Sequence, residues 1–179
     1  GSLIKKTIKL GHTVYASAPG YDNETIEILN NMGVRFIPIT LSRRGLNIFG
    51  DIKLFFELCK IIREIKPHIV LAYTIKPVIY GSLAAYFGSV KNMYSIITGV
   101  GFVFYKENLL QRILSIPIRL LYRISLSINK TVFFQNKDDQ FLFKKLSIIT
   151  KNNNVILING SGVDTDYYFF SKSKREPIS

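Results

Sequence analysis

The chain has 179 residues, 47 % of them apolar, and carries 24 Lys and Arg against 12 Asp and Glu, a net charge of +12. That length suits one α/β domain with a real core, and the surplus of cations points to an anionic partner: nucleic acid, an anionic membrane surface or a phosphate-bearing ligand. One cysteine and two histidines exclude a disulfide framework within the chain and argue against a zinc site, and no run reaches the roughly 18 uncharged apolar residues of a membrane span.

Residues 3–10 read as a helix stopped by Gly11, and residues 13–18 as a short strand running into Pro19-Gly20. Residues 24–32 are helical, closed by Gly33, and residues 34–39 form a strand. A polar loop over 41–50 follows, and Asp51 is expected to cap a helix reaching about residue 65. Cys59 lies there among apolar residues at helical spacing and reads as a buried, reduced thiol, in keeping with a cytosolic protein. Pro67 introduces a buried strand over 69–73. Pro77 suits the first turn of a helix ending near Phe87-Gly88. Residues 92–98 form a strand, 99–101 a glycine loop, and 107–129 a long helix kinked at Pro117. A strand over 131–135, a helix over 137–146 and a last strand over 154–159 complete the alternation. A Gly/Ser turn and a tail rich in Tyr, Phe, Lys and Ser follow, and no signal peptide is expected.

This order predicts an α/β fold: a Rossmann-like, three-layer α/β/α domain whose mostly parallel sheet is covered on both faces. In a doubly wound domain the first strand is usually central and carries a phosphate loop, whereas here the alternation opens on a helix. The expectation is therefore a domain over residues 1–164 that lacks its first strand, with 165–179 a linker. Edges left open in this way predict marginal solubility, a partner chain filling the gap, or a dimer across an exposed sheet edge.

Ligands of open parallel sheets bind beyond the carboxyl ends of the strands. After residue 39 stand Arg43 and Arg44 beside a glycine turn, which can clamp a phosphate or simply form a solvated basic loop. After 69–73 come Thr74, Lys76 and Pro77, a cation at a helix start, or an ordinary capped turn. After 92–97 come Thr98, Gly99, Val100, Gly101 and Phe102. The two glycines allow close backbone approach, but Phe104 breaks the Gly-x-Gly-x-x-Gly pattern. After 131–134 come Asn136, Asp138 and Asp139, read first as helix capping and alternatively as carboxylates for sugar hydroxyls. Gly160 and Ser161 follow the last strand. His12 and His68 sit at the amino ends of strands and receive no role. On the long helix Arg112, Arg119 and Arg123 fall on one side, which suits an anionic bilayer or the solvated edge of a core helix.

Taken together, several segments resemble the N-terminal domain of glycosyltransferase family 4. They are Leu10-Gly11-His12-Thr13-Val14, Ser42-Arg43-Arg44-Gly45-Leu46-Asn47, Lys66-Pro67-His68-Ile69-Val70, Tyr73-Thr74-Ile75-Lys76-Pro77 with Tyr80-Gly81, Thr98-Gly99-Val100-Gly101, Phe134-Gln135-Asn136 with Asp138-Asp139, and Asn159-Gly160-Ser161-Gly162-Val163-Asp164. The branch it is most similar to builds bacterial surface glycans such as capsule and O-antigen. The resemblance implies one half of a two-domain GT-B fold. It implies an acceptor-binding domain facing a nucleotide-sugar donor held by a C-terminal domain. It also implies a glycan or polyprenyl-pyrophosphate-linked sugar acceptor at the inner membrane face, and no metal or other cofactor. In this light Thr98, Gly99, Gly101 and Phe102 belong to the loop facing the reacting sugar, without the His that some relatives carry there. Tyr73, Thr74, Lys76 and Pro77 match a cleft-facing turn, and Arg43, Arg44 and Asn47 a loop toward the acceptor. No catalytic residue is assigned. The 179 residues alone are expected to be inactive, and a cytoplasmic place, peripheral at the inner membrane, is expected. Two other readings stay open: a sugar-nucleotide epimerase of the same fold, and a non-enzymatic basic module for membrane or nucleic acid. Nucleic acid is not expected, because no recognition motif is present and the basic residues are dispersed.

Overall fold

A computed structural model describes residues 2–20, 22–41, 47–99 and 109–160, the side chains of 109–115 excepted. In chain order the elements are α1 (Ser2–Lys9), β1 (Tyr15–Ala18), α2 (Asn23–Asn31), β2 (Arg35–Pro38), α3 (Ile48–Ile65), β3 (Ile69–Tyr73), a π-helical turn (Pro77–Gly81), α4 (Ser82–Phe87), β4 (Asn92–Ile97), α5 (Leu109–Ser127), β5 (Thr131–Phe134), α6 (Lys137–Lys145) and β6 (Val155–Leu157).

Local chemistry sets these boundaries. Asp22 caps α2, accepting hydrogen bonds from the Thr25 N–H at 2.6 Å and the Thr25 hydroxyl at 2.8 Å. Those bonds hold its carboxyl below the usual carboxylate range. Gly33, at φ +76°, ends the same helix with a left-handed turn. α3 begins four residues earlier than the sequence suggests: Asn47, not Asp51, is its cap, its Oδ1 accepting from the Gly50 N–H at 3.0 Å. Asp51 thus falls inside the first turn, with its carboxylate free for another use. The helix expected from Pro77 opens instead with a π-helical turn before α4. α5 runs unbroken from Leu109 to Ser127 with Pro117 inside it.

All pairing is parallel. β1 pairs with β2, and β3, β4, β5 and β6 form a second sheet in that order. Among the described residues β1 and β3 do not pair, so the single sheet expected is two. Because β3 to β6 advance in one direction, right-handed crossovers put their connecting helices on one face. Ala72, Met93, Ile97, Val132 and Phe134 point to that face and pack with Val78, Ile79, Ala84, Ala85, Tyr122, Leu126 and Phe143. Edge-on ring contacts of Phe143 with Tyr122 (5.2 Å) and Phe134 (5.3 Å) centre this core. The opposite face carries Ile69, Leu71, Tyr73 and Ile156, all exposed, so the cover expected on both faces is incomplete among the described residues.

A buried polar knot crosses the core. Asn129 Oδ1 accepts from the Ser95 hydroxyl at 2.8 Å, and its Nδ2 donates to the Ser82 hydroxyl at 3.0 Å and to the Ser125 carbonyl at 2.7 Å. The Ser125 hydroxyl donates to the Ile79 carbonyl at 3.1 Å. One amide therefore fastens α4, β4 and α5 together. Asn129→Ala leaves buried hydroxyls unsatisfied and should lower stability by about 1–3 kcal/mol, read as a lower urea midpoint with an unchanged slope.

Candidate functional site

Parallel strands in near register bring their carboxyl ends to one edge of the four-stranded sheet. Tyr73 pairs with Ile96, Ile97 with Phe134, and Phe134 with Leu157. The segments that follow these strands therefore start from one rim, and the sequence-predicted residues Tyr73, Thr74, Lys76, Pro77, Thr98, Gly99, Asn136, Asp138 and Gly160 lie at the strand ends, in the loops or in the first turns that follow.

The best-built part of this rim is the turn after β3. Thr74 has φ +67°, a left-handed conformation that a β-branched residue adopts only when its surroundings hold it there. Its carbonyl accepts from the Val78 N–H at 3.0 Å, an i→i−4 bond at the start of the helix that leads into the π-helical segment. Such a segment widens the helix by one residue per turn and is frequent at functional sites. Lys76 precedes it and folds back onto α3, its Nζ donating to Asp51 Oδ1 at 2.7 Å. Tyr80, one turn further on, donates its hydroxyl to Asp51 Oδ2 at 3.2 Å. The Lys76 and Asp51 side chains are only 16 % and 13 % exposed, so water screens the pair weakly. Burial, then the Asp51 charge and its hydrogen bond, push the Tyr80 phenol up to about 12.

Other predicted residues are placed with less consequence. Asn136 caps α6 as the sequence indicates: its Oδ1 accepts from the Asp139 N–H and its Nδ2 donates to Asp139 Oδ2, both at 2.7 Å. Asp138 is exposed in the first turn of α6, Thr98 is exposed and Gly99 half-buried just past β4, and Gly160 is exposed past β6. Asn47 stands at the start of α3, its amide oxygen committed to the cap. Arg43, Arg44, Gly101, Phe102 and Ser161 lie outside the described residues, as does the side chain of Arg112. Arg119 is half-buried, with its Nε sequestered, and Arg123 is exposed at a groove shared with Ser127, Ile148 and Asn153. Sequence reasoning missed Asp51 and Tyr80 as site residues. The available signal was the spacing of Lys76 and Tyr80, four residues apart on one helical face with a carboxylate upstream.

Comparison with known proteins agrees with this architecture. The family described as Glycosyl transferase 4-like matches residues 5–136, most of the chain. The chain belongs to that family. Over 147 residues it is 22 % identical to the N,N'-diacetylbacillosaminyl-diphospho-undecaprenol alpha-1,3-N-acetylgalactosaminyltransferase of Campylobacter jejuni, covering 82 % of this chain and 39 % of that protein. The crystal structure of Acinetobacter baumannii MurG superposes with a TM-score of 0.55 at 14 % identity, over 91 % of this chain and 41 % of that one. The fold is thus Rossmann-like, of the GT-B kind, and the chain spans about two fifths of the length of these relatives.

The Tyr80 contact has a titration signature. Its raised value means the fold favours the neutral phenol; that contribution to stability is intact below the ordinary tyrosine value and is lost as pH rises through about 12. Asp51→Asn removes the charge and should bring the Tyr80 phenolate in at lower pH, measured as the difference in phenolate absorbance between otherwise identical proteins with Tyr80 and with Tyr80→Phe.

Proposed function

We propose that this domain is the acceptor-side half of a glycosyltransferase that moves a sugar from a nucleotide-sugar donor to a lipid-linked bacterial surface glycan. The observation that carries the reading is the Lys76 ammonium, held by Asp51 at the carboxyl rim of a glycosyl transferase 4-like domain. An ammonium has three donors and Asp51 takes one of them, so Lys76 can also meet a phosphate oxygen without leaving its partner. The Campylobacter relative, named for a sugar-diphospho-undecaprenol acceptor, supports a diphosphate-bearing lipid as the acceptor class.

Physically, sugar transfer needs a crevice that excludes water and fixed charges that stabilise a departing nucleotide diphosphate. Thr74, Thr98 and Gly99 line one wall of that crevice, and Lys76 anchors the acceptor's diphosphate on it. The donor grip belongs to a second domain outside residues 1–179, so these residues alone turn over no sugar nucleotide. The doubly wound order also leaves room for one central strand between β1 and β3, which we assign to the same domain. The protein works at the cytoplasmic face of the membrane that holds its acceptor.

The test is transfer by the full-length protein from a labelled nucleotide sugar to a polyprenyl-diphosphate-linked sugar. Lys76→Met should lower kcat/KM by roughly tenfold to a hundredfold, the loss of one hydrogen bond to a charged group. Lys76→Arg should retain part of it. Donor hydrolysis or epimerisation without transfer to any acceptor would refute the reading.

A further inference from the structure

Among the described residues, four that are not glycine have a left-handed backbone: Lys66, Thr74, Ser89 and Ser147, at φ +50°, +67°, +59° and +54°. Three of them have a structural reason. Each follows the last turn of a helix, and its N–H closes that turn: Lys66 donates to the Ile62 carbonyl at 2.8 Å, Ser89 to the Tyr86 carbonyl at 3.0 Å and Ser147 to the Lys144 carbonyl at 3.0 Å. They end α3, α4 and α6 at the amino rim of the sheet. Thr74 differs in place and in side chain. It leaves β3 at the carboxyl rim and enters a helix instead of ending one. It is also the β-branched residue of the four, and a branched Cβ is the most crowded in this conformation.

The turn uses the conformation and not the side chain. The Thr74 carbonyl accepts from the Val78 N–H, a bond that a glycine makes equally well. Gly160, past β6 on the same rim, meets φ +75° with no side chain at all. Nothing within the described structure offsets the strain of a threonine here. Its side chain is exposed and stands outside the apolar core, and its hydroxyl has no hydrogen-bond partner among the described residues. Strain held at a rim, with an unused polar group at its tip, points to a ligand. Lys76 stands two residues further on, its ammonium 2.7 Å from Asp51. A hydroxyl both donates and accepts, which suits a sugar hydroxyl or N-acyl group as an ammonium suits a phosphate. Branching at Cβ leaves that hydroxyl few rotamers, so its direction is set before a ligand arrives.

We propose that Thr74 is a specificity residue: its hydroxyl reads the sugar next to the diphosphate of the lipid-linked acceptor, while Lys76 holds the diphosphate. The proposal rests on the acceptor reading above and adds which part of the acceptor this turn selects. A contact of this kind rejects an analogue that lacks the bonded group, because the protein hydroxyl is then left without a partner in a closed crevice.

The experiment uses the full-length protein and farnesyl-diphosphate-linked sugars. The best hexose or N-acetylhexosamine acceptor is compared with analogues that each lack one hydroxyl other than the glycosylated one, or the N-acetyl group. Wild type should lose about tenfold in kcat/KM with one of these analogues. Thr74→Val keeps the branched side chain and removes the hydroxyl. It should lose about tenfold with the parent acceptor and cease to discriminate against that analogue, while treating the others as the wild type does. Thr74→Ser should keep most of the discrimination. Thr74→Gly should lose it yet melt no lower than the wild type, because relief of the left-handed strain offsets the added freedom of the unfolded chain. A side chain kept for stability alone would lower the melting temperature in Thr74→Gly and leave discrimination intact in Thr74→Val; either result overturns the proposal. So would a wild type indifferent to every analogue. A wild type that transfers to no prenyl-diphosphate sugar sinks the transferase reading and this proposal with it. Transfer with unchanged discrimination in Thr74→Val sinks the proposal alone.

Discussion

Parallel pairing of β3, β4, β5 and β6 in sequence order is the constraint on which the rest of the described structure depends. Strands that all advance the same way need right-handed crossovers, and these put α4, α5 and α6 on one face. That face gains the dry core around Tyr122, Phe134 and Phe143, and the other keeps Ile69, Leu71 and Tyr73 open. The same pairing fixes polarity: every strand ends at one rim, and every connecting element starts there. A rim so made collects backbone N–H groups and loop side chains without any one loop having to be long.

Within the rim, Asp51, Lys76 and Tyr80 form the unit with the tightest geometry. A weakly exposed ion pair of this kind contributes little net stability, because desolvating both charges offsets most of their attraction. Its effect is positional. Asp51 comes from the first turn of α3, while Lys76 stands just before the π-helical turn after β3 and Tyr80 within it, so the contact ties the two elements on either side of β3. The left-handed Thr74 and the widened turn after Pro77 are local conformational costs that the core around Val78 and Ile79 holds in place.

Most of the fold was legible in the sequence because its signals are local. The apolar run of residues 69–73 and the β-rich stretch 92–97 mark parallel strands, and Gly33, Pro67 and Asn136 mark the boundaries between elements. What was not legible depended on competition between neighbours. Asn47 and Asp51 are both good caps four residues apart, and composition does not say which one the helix uses. With Asn47 taking the cap, Asp51 becomes the site carboxylate, a role that only the approach of Lys76 from 25 positions away reveals. The π-helical turn was hidden for a similar reason: Pro77 signals a helix start but not the hydrogen-bond spacing that follows. The resemblance carried by the loops led to the right family, although each loop by itself admits a structural explanation.

Thr74 and Lys76 have different chemistry, and the proposed acceptor explains why one short turn would carry both. A polyprenyl-diphosphate sugar is apolar at one end, doubly anionic in the middle and polar at the other. An enzyme that extends it must hold the anionic and the polar parts at a fixed separation. Lys76, fixed by Asp51 on α3, offers an ammonium to the first, and Thr74 offers a hydroxyl to the second. Because both stand on one turn backed by the core around Val78 and Ile79, their separation is set by the backbone and not by a flexible loop. The strain at Thr74 belongs to the same argument. Glycine would relieve the backbone there and leave the sugar unread, so the conformational cost at this position is the counterpart of selectivity in the crevice.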